Sequence, residues 1–276
     1  MARHSQPLHG PLLVGIVNIT ADSFSDGNRY LTSEAAVAHA LRLRSEGADI
    51  IELGPAASHP GAQKVTAAEE MRRLADVIDQ LVAEGVPVAL DSYRPETQRF
   101  AVARGAAYLN DIQGFPDPAQ YAELAGTGCR LIVMHSVQRR GPATRVATDP
   151  AAVCSGIEEF FAERLAALEA AGIGRDRLVI DPGLGYFLGS GPQPSLRILA
   201  GLEQLKARFD VPVLVSPSRK SFLRALTGMS LPEIGPATLA AELYAARHGA
   251  DYLRTHDVAA IHSALTVFRA LEAAAK

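Results

Sequence analysis

Short apolar runs recur along the chain, and amphipathic segments with helical spacing separate them. The first run, residues 12–18, is rich in Val and Ile and leads at Asn18 into a polar loop that ends at Gly27. A continuous apolar run is typical of a strand that is buried on both faces of a parallel sheet, and such strands present polar side chains at their carboxyl ends. An ordinary turn after a strand would give the same local pattern, so the other runs must decide.

The segments between the runs predict helices. The first is expected from Ser33 to Gly47, with Ser33 as N-cap and Gly47 as the stop, and later ones are expected over residues 67–84, 151–171, 237–248 and 258–274. Eight strand–helix units in one chain predict an α/β protein with a (β/α)8 TIM barrel as a single domain, residues 1–276, of which 1–11 form a flexible N-terminal extension. A doubly wound open sheet is the alternative, but the GxGxxG turn of its dinucleotide-binding form is missing.

Polar residues fall where the predicted strands end. Those singled out are Asn18, Asp91, Asn110, Asp111, His135, Asp181, Ser218, Arg219, Lys220, Ser221, Arg254, Thr255 and His256. Because the carboxyl ends of barrel strands meet on one face, we expect these side chains to form a site there. Each one alone could be a satisfied structural group.

The residue types divide this site into two parts. Strands seven and eight supply Arg219, Lys220, Arg254 and His256, at the usual phosphate position of barrels. Asn18 and Asp22 offer oxygen ligands that suit Mg²⁺, which keeps several waters and shares phosphate ligands.

The barrel interior predicts a different ligand. Three polar residues end apolar strands there: Asp91, Asn110 and Asp181. Because an unpaired buried carboxylate is costly, we expect them to accept hydrogen bonds from N–H donors of a ligand or partner. A planar heterocycle with several N–H groups fits, with Met134 against its face. Asp181 and Lys220 could instead form a buried structural ion pair.

Such an arrangement suits displacement of a phosphate leaving group, with catalysis carried by stabilisation of the departing charge. His135 and His256 are candidate general bases, although the reaction does not require one.

Composition and charge exclude several classes of function and site. The net charge of −3 argues against a nucleic-acid partner. Cys129 and Cys154 lie apart without a CxxC motif, so neither a disulfide framework nor a zinc site is indicated. Residues 1–10 lack a signal-peptide core and no apolar run reaches membrane-spanning length, so we expect a cytoplasmic protein without a membrane partner.

Seven motifs in order, GIVNITADSFSDG, LDS, YLNDI, VMHS, IDPGLG, SRKS and RTHDV, resemble those of the dihydropteroate synthase family of folate synthesis, from Leu12 to about Val258. The resemblance implies an enzyme that joins 6-hydroxymethyl-7,8-dihydropterin diphosphate to 4-aminobenzoate with Mg²⁺ and releases diphosphate. It also implies an SN1-like mechanism, in which diphosphate departs before the arylamine attacks, and a homodimer through the last helices.

The resemblance also implies residue roles. Pterin-binding residues would be Asp91, Asn110, Met134, Asp181, Gly185 and Lys220. Diphosphate-binding residues would be Asn18, Arg254 and His256, with Asn18 also meeting the metal. Residues of the 4-aminobenzoate pocket would be Thr20, Ser58, His59, Tyr186, Phe187, Arg219 and Ser221. Catalytic residues would be Asp91, Lys220, Arg254 and His256, and the first two loops, which include Asp22, would close over the ligands.

Several positions depart from the family pattern. His59 stands where an arginine is usual, Tyr186 to Leu188 replace Phe-Gly-Lys, Ser216 and Pro217 replace Gly-rich residues, and Glu52 replaces an aspartate. Four segments, ASHPG, NDIQGFPDP, the aromatic pair before Leu188 and RKSFL, resemble the mobile, sulfonamide-resistant branch of the family. We therefore expect that Phe187 fills space that a sulfonamide needs, the alternative being that it packs outside the barrel.

Two other function classes stay open. A pterin-binding methyltransferase barrel would share the Asp and Asn residues but has no use for a diphosphate clamp. A non-catalytic pterin-binding protein would keep the site without turnover, and the change at His59 is its only support.

Overall fold

The computed structural model describes residues 10–20 and 32–275. Within those ranges the chain forms eight strands and ten α-helices, with one or two helices after each strand. The strands are β1 (Leu12–Asn18), β2 (Ile50–Gly54), β3 (Val88–Asp91), β4 (Tyr108–Asp111), β5 (Arg130–Met134), β6 (Leu178–Asp181), β7 (Leu214–Val215) and β8 (Tyr252–Thr255). The helices are α1 (Ser33–Ser45), α2 (Ala67–Ala83), α3 (Pro95–Ala103), α4 (Tyr121–Ala125), α5 (Pro150–Ala170), α6 (Gln193–Ala200), α7 (Leu202–Phe209), α8 (Ser221–Thr227), α9 (Gly235–Arg247) and α10 (Val258–Ala274).

All strand pairs are parallel, in the order β6-β5-β4-β3-β2-β1-β8-β7. The two ends of this sheet meet through a single bridge between Ile180 and Val213, and the N–H of Ile180 donates to the Pro212 carbonyl at 2.9 Å. The sheet therefore closes into the predicted (β/α)8 barrel, with its weakest seam between β6 and β7.

Successive side chains on each strand point alternately into the barrel and toward the helices. One residue from each strand contributes to an inward-facing apolar layer: Val14, Ile50, Ala89, Tyr108, Ile132, Val179, Leu214 and Tyr252. Their neighbours, such as Leu13, Ile51 and Leu253, belong to the larger core between strands and helices.

Two positions farther along each chain segment, the same inward face carries a very different set of residues, which we call the polar layer. Its members are Ile16, Glu52, Asp91, Asn110, Met134, Asp181, Ser216 and Arg254. The apolar layer therefore closes the bottom of the barrel beneath a group of buried charges.

The predicted helices are close to those observed, and the last one has the predicted bounds. Two details were wrong. Thr32, not Ser33, is the N-cap of α1, since its hydroxyl accepts the N–H of Ala35 at 3.2 Å. The apolar run at 211–216, from which a seventh strand is expected, forms only the two-residue strand Leu214–Val215, and two helices that were not predicted, α6 and α7, precede it.

None of the helices in the described ranges combines the length and apolar character needed to cross a bilayer.

Candidate active site

A cavity of about 370 Å³ opens at the carboxyl ends of the strands. Residues from β1, β3 and β8 and from the segments that follow β1, β2, β7 and β8 line it, which is where barrel enzymes place their sites. The lining includes Ile16, Asn18, Thr20, Ala56, Ala57, Ser58, His59, Asp91, Ser216, Ser218, Arg219, Lys220, Arg224, Leu231, Arg254 and His256.

Arg254 is the centre of the buried charges beneath this cavity. Its Nε lies 3.0 Å from Glu52 Oε1, and its Nη2 lies 3.7 Å from Asp91 Oδ2. The Nε contact is an ion pair without a well-directed hydrogen bond, because Nε has no hydrogen-bond partner among the described residues. Lys220 and Asp181 interact with this group electrostatically.

The polar layer holds more acids than cations. Burial raises the pKa of Glu52 to about 7 against the opposing effect of Arg254, and it also raises the pKa of Asp91 and Asp181. Burial and the nearby Arg254 lower the pKa of Lys220 to about 8. A ligand that offers several N–H donors would relieve the excess of buried carboxylates.

Asn110 is fully buried and uses only one end of its amide. Its Nδ2 donates to Glu52 Oε2 at 3.1 Å, while its Oδ1 has no hydrogen-bond partner among the described residues. A buried acceptor left without a partner is costly, so Oδ1 is set to receive a donor from a ligand.

His256 is held by Ser218. The hydroxyl of Ser218 lies 2.9 Å from Nδ1 of His256 and accepts the backbone N–H of the same residue at 3.2 Å. Since the hydroxyl proton can then go to Nδ1, this pairing favours the tautomer with its proton on Nε2.

Burial and the cations Arg219, Arg254 and Lys220 lower the pKa of His256 to about 3. Even a fraction of that shift keeps the imidazole neutral at pH 7. The ring can therefore donate a hydrogen bond from Nε2 but does not carry charge.

Asn18 is the described residue that best fits Mg²⁺. It ends β1 at the cavity, and a side chain at Gly54 would place its Cβ 3.1 Å from Asn18 Oδ1, so the glycine leaves the amide free to project. The described residues contain no cluster of three or more acidic, His or Cys ligands. One amide oxygen suits a magnesium ion whose other ligands are waters and phosphate oxygens. Asp22 lies outside the described residues.

A second cavity of about 160 Å³ adjoins the first. It is lined by Ser58, His59, Pro60, Ala143, Leu184, Tyr186, Phe187, Arg219, Lys220, Ser221 and Arg224. The Lys220 Nζ lies 4.9 Å from the centre of the Phe187 ring, and Phe187 packs in a small apolar cluster with Met134, Ile112 and Ala143. Phe187 is thus part of the site, and the alternative of packing outside the barrel is wrong.

Three loops around this second cavity, 55–62, 137–149 and 184–190, are joined by hydrogen bonds, and we call them the rim. The N–H of Ala143 donates to the Ser58 carbonyl at 2.9 Å, and the N–H of Val137 donates to the Phe187 carbonyl at 2.9 Å. The amide of Gln138 donates to the Tyr186 carbonyl at 3.3 Å. The loop after β5 therefore holds the other two loops together.

Gly185 allows the loop after β6 to approach the loop after β7. Its φ is +66°, and a Cβ here would lie 3.0 Å from Ser221 Oγ and 3.4 Å from Lys220 Cβ. A larger residue would be strained and would crowd the lysine.

Most of the predicted site residues lie together, but two strand-end residues do not. Asp111 points toward α3, where it accepts hydrogen bonds from the Gln113 N–H and the Gln98 amide. His135 packs its ring on Phe160 with centroids 5.3 Å apart, away from both cavities, and burial lowers its pKa to about 3. The prediction of His135 as a candidate general base was therefore wrong.

Glu52 was noted only as a departure from the family pattern, yet it lies at the centre of the polar layer. The signal in the sequence was a charged residue two positions after Ile50 in a run that is otherwise apolar.

Residues 14–256 match the pterin binding enzyme family. The chain is 54% identical over 265 residues to dihydropteroate synthase type-2 of Escherichia coli, covering 96% of this chain and 97% of that protein. It is 49% identical to dihydropteroate synthase type-1 of Escherichia coli, with 91% of each chain covered.

Among solved structures, Xanthomonas albilineans dihydropteroate synthase with 4-aminobenzoic acid superposes with a TM-score of 0.86 at 42% identity, covering 96% of this chain and 94% of that one. Together with the geometry of the polar layer, these similarities show that the chain belongs to the dihydropteroate synthases, within the pterin binding enzyme family.

Proposed function

We propose that this chain condenses 6-hydroxymethyl-7,8-dihydropterin diphosphate with 4-aminobenzoate to give 7,8-dihydropteroate and diphosphate. The observation that carries the proposal is the polar layer, in which buried acceptors lie beside Arg254 under a cavity of about 370 Å³. Family membership and the solved relative bound to 4-aminobenzoic acid support the choice of substrates.

The pterin ring would be held from below. Asp91, Asp181 and the Oδ1 of Asn110 would accept its N–H donors, and Lys220 would donate to a ring acceptor. Met134 would pack against its face, and Gly185 would allow the close approach of Lys220. Buried acceptors of this kind discriminate strongly, because a ligand that lacks the donors leaves them unpaired.

The diphosphate would lie on the side of Asn18, Arg254 and His256. Arg254 offers charged donors and His256 a neutral Nε2–H, both of which stabilise charge that develops on the departing oxygen. Bound Mg²⁺ would neutralise charge on the diphosphate, and Asn18 would hold it through its amide oxygen.

The chemistry follows from that arrangement. The bond between the pterin methylene carbon and the diphosphate oxygen breaks first, and its electron pair leaves with the diphosphate. The amine nitrogen of 4-aminobenzoate then bonds to the methylene carbon and loses one proton to water. Buried Asp91 and Asp181 beneath the ring would stabilise the transient cation, in line with an SN1-like course.

The second substrate would enter on the rim side. Thr20, Ser58, His59, Tyr186, Phe187, Arg219 and Ser221 would surround it, and the charge of Arg219 would suit its carboxylate. Because Phe187 occupies this cavity next to Lys220, we propose that it admits 4-aminobenzoate and excludes the longer sulfonamides.

We also propose a homodimer through the last helices. Val267 and Leu271 of α10 are 60% and 64% exposed, and Tyr244 of α9 is 42% exposed. Light scattering should give twice the monomer mass, and the double variant Val267→Asp, Leu271→Asp should give a monomer. The cytoplasmic location stays a prediction from the sequence.

The test of the reaction is direct. The purified protein is incubated with the pterin diphosphate, 4-aminobenzoate and Mg²⁺, and both dihydropteroate and diphosphate are measured. Equal amounts of the two products, lost on chelation of the metal, are expected. Tight pterin binding without product would favour a non-catalytic binding protein. The absence of both pterin binding and product would reject the proposal.

A further inference from the structure

Glu52, like Asp181, belongs to the acidic group of the polar layer but does not line the cavity formed by the described residues. It is 1% exposed, and a carboxylate withdrawn from water to this extent must be compensated by partners. Its two partners are Asn110 and Arg254, and the proposed function gives each of them a role in substrate binding.

The two carboxylate oxygens of Glu52 serve two different strands. Oε2 accepts the hydrogen bond from Asn110 Nδ2 of β4 at 3.1 Å, and Oε1 lies 3.0 Å from Arg254 Nε of β8. Glu52 on β2 thus connects the residue proposed for pterin to the residue proposed for diphosphate.

The charge of Glu52 decides which end of the Asn110 amide faces the ligand. Glu52 is ionised above its pKa of about 7, and an ionised carboxylate only accepts hydrogen bonds, so the NH₂ group must then turn toward it and Oδ1 must turn away. Oδ1 is then the buried atom left without a partner among the described residues. A neutral side chain at position 52 would remove this constraint, because its own donor could bind Oδ1 and reverse the amide.

The same carboxylate fixes Arg254 from one side. With Nε 3.0 Å from Glu52 Oε1 and Nη2 3.7 Å from Asp91 Oδ2, the guanidinium is held by charge between the two carboxylates. Its remaining N–H groups can then face the cavity that Arg254 lines.

We propose that Glu52 is a positioning residue that orients both Asn110 and Arg254. It thereby fixes the position of the pterin-binding side chains relative to the diphosphate-binding ones. This inference rests on the proposed function. Glu52 itself touches neither substrate, and its effect is exerted through its two neighbours.

The test is Glu52→Gln, which keeps the size of the side chain and removes its charge. We expect the KM for the pterin diphosphate to rise at least about tenfold and kcat to fall, while the KM for 4-aminobenzoate stays within about twofold. Glu52→Asp keeps the charge and should recover part of the loss, although its shorter side chain cannot reach both partners equally.

Glu70→Gln is the matched control. Glu70 is also a buried glutamate paired with an arginine, Arg94 Nε at 3.1 Å, but it lies outside the barrel interior. If both Glu52→Gln and Glu70→Gln lower the melting temperature but keep the wild-type kinetic constants, Glu52 is merely structural and the inference fails. Wild-type protein that makes no dihydropteroate would instead reject the proposed function.

A double-variant cycle gives a second readout that does not depend on stability. Pterin diphosphate binding is measured by calorimetry for Glu52→Gln, Asn110→Ala and the combination. We expect the combined loss to be smaller than the product of the two single losses, because the two residues act on the same contact. Losses that multiply would contradict a role through Asn110.

Discussion

The polar layer and the rim border the same cavities but are built in different ways. The polar layer comes from strand residues that the barrel hydrogen bonds fix, and its side chains are buried charges that hold one another, as Arg254 holds Glu52 and Asp91. The rim comes from loops joined by a few hydrogen bonds between peptide groups and side chains, and its main space-filling residue is Phe187.

The difference separates two tasks. Buried charges recognise a ligand by its donors and tolerate little change, because each lost partner leaves a desolvated group unpaired. A loop wall recognises a ligand by shape, and its residues can change with a modest effect on the substrate. The polar layer should therefore decide whether pterin binds at all, and the rim should decide what may bind beside it.

Asp181→Asn gives the largest expected effect. The carboxamide can still accept the Gly183 N–H that Asp181 Oδ1 accepts at 2.8 Å, so the turn is kept while the charge is lost. We expect pterin affinity to fall about 10- to 150-fold, since a hydrogen bond to a charged group contributes about 1.5–3 kcal/mol. Calorimetry measures the affinity.

Asp111→Asn is its control, because Asp111 ends the neighbouring strand β4 but points toward Gln98. It should leave pterin affinity unchanged. Asp181→Asn with wild-type affinity would mean that Asp181 is structural and would remove the contrast between the two regions.

Lys220 makes the polar layer sensitive to alkaline pH. Burial lowers the pKa of this lysine to about 8, so it is charged below that pH and loses its charge above it. With less positive charge facing the anionic substrate, kcat/KM for the pterin diphosphate should fall above pH 8, by up to about tenfold per pH unit.

Lys220→Arg tests the assignment, because arginine stays charged in this range. The alkaline fall should disappear in this variant, whatever its absolute activity. A fall that persists unchanged would assign the titration to another group.

Phe187→Gly sharpens the comparison from the rim side. Removing the ring opens the second cavity, so we expect the inhibition constant of a sulfonamide to drop about tenfold or more while the KM for 4-aminobenzoate changes by only a few-fold. Steady-state inhibition assays measure both.

Phe187→Leu keeps most of the bulk and should stay close to the wild type. An unchanged inhibition constant in the glycine variant would reject a role for Phe187 in excluding sulfonamides.

Gln138→Ala should give the smallest effect. The side-chain amide of Gln138 donates to the Thr144 hydroxyl of the same loop at 3.0 Å and to the Tyr186 carbonyl of the loop after β6 at 3.3 Å. Loss of these bonds should raise the KM for 4-aminobenzoate about threefold, since neutral hydrogen bonds contribute about 0.5–1.5 kcal/mol each.

The pterin KM should not change in Gln138→Ala. Gln120→Ala, next to Asp117 on the barrel exterior, serves as control. An equal effect on both substrates would show that the rim is not separate from the polar layer.

Much of the site was predictable because barrel strands turn sequence position into spatial position. Asp91, Asn110, Asp181 and Arg254 end or nearly end their strands, and parallel strands bring their ends to one face. The same rule placed Asp111 and His135 in the site, and there it failed. Each ends or follows a strand but lies one residue after an inward position, Asn110 or Met134, and so faces the helices.

Other features depend on contacts between segments that lie far apart in the chain. Glu52 is defined by contacts with Asn110 and Arg254, which lie 58 and 202 residues away in the chain. The two-residue strand β7 is shorter than its apolar run because pairing with β6 is reduced to one bridge. The hydrogen bond from the Ala143 N–H to the Ser58 carbonyl joins two loops, and nothing in the sequence of either loop indicates this contact.

The sequence by itself determined the barrel, the family and the chemical types of the site residues, because alternation of apolar and polar positions and the ordered motifs are local properties of the chain. The tertiary structure decided which of those residues face the ligand and which residue orients them. It did so because the direction of a side chain depends on how the strand is paired and turned, and because Glu52 acquires its partners only when the distant strands β4 and β8 come together with its own strand in the barrel.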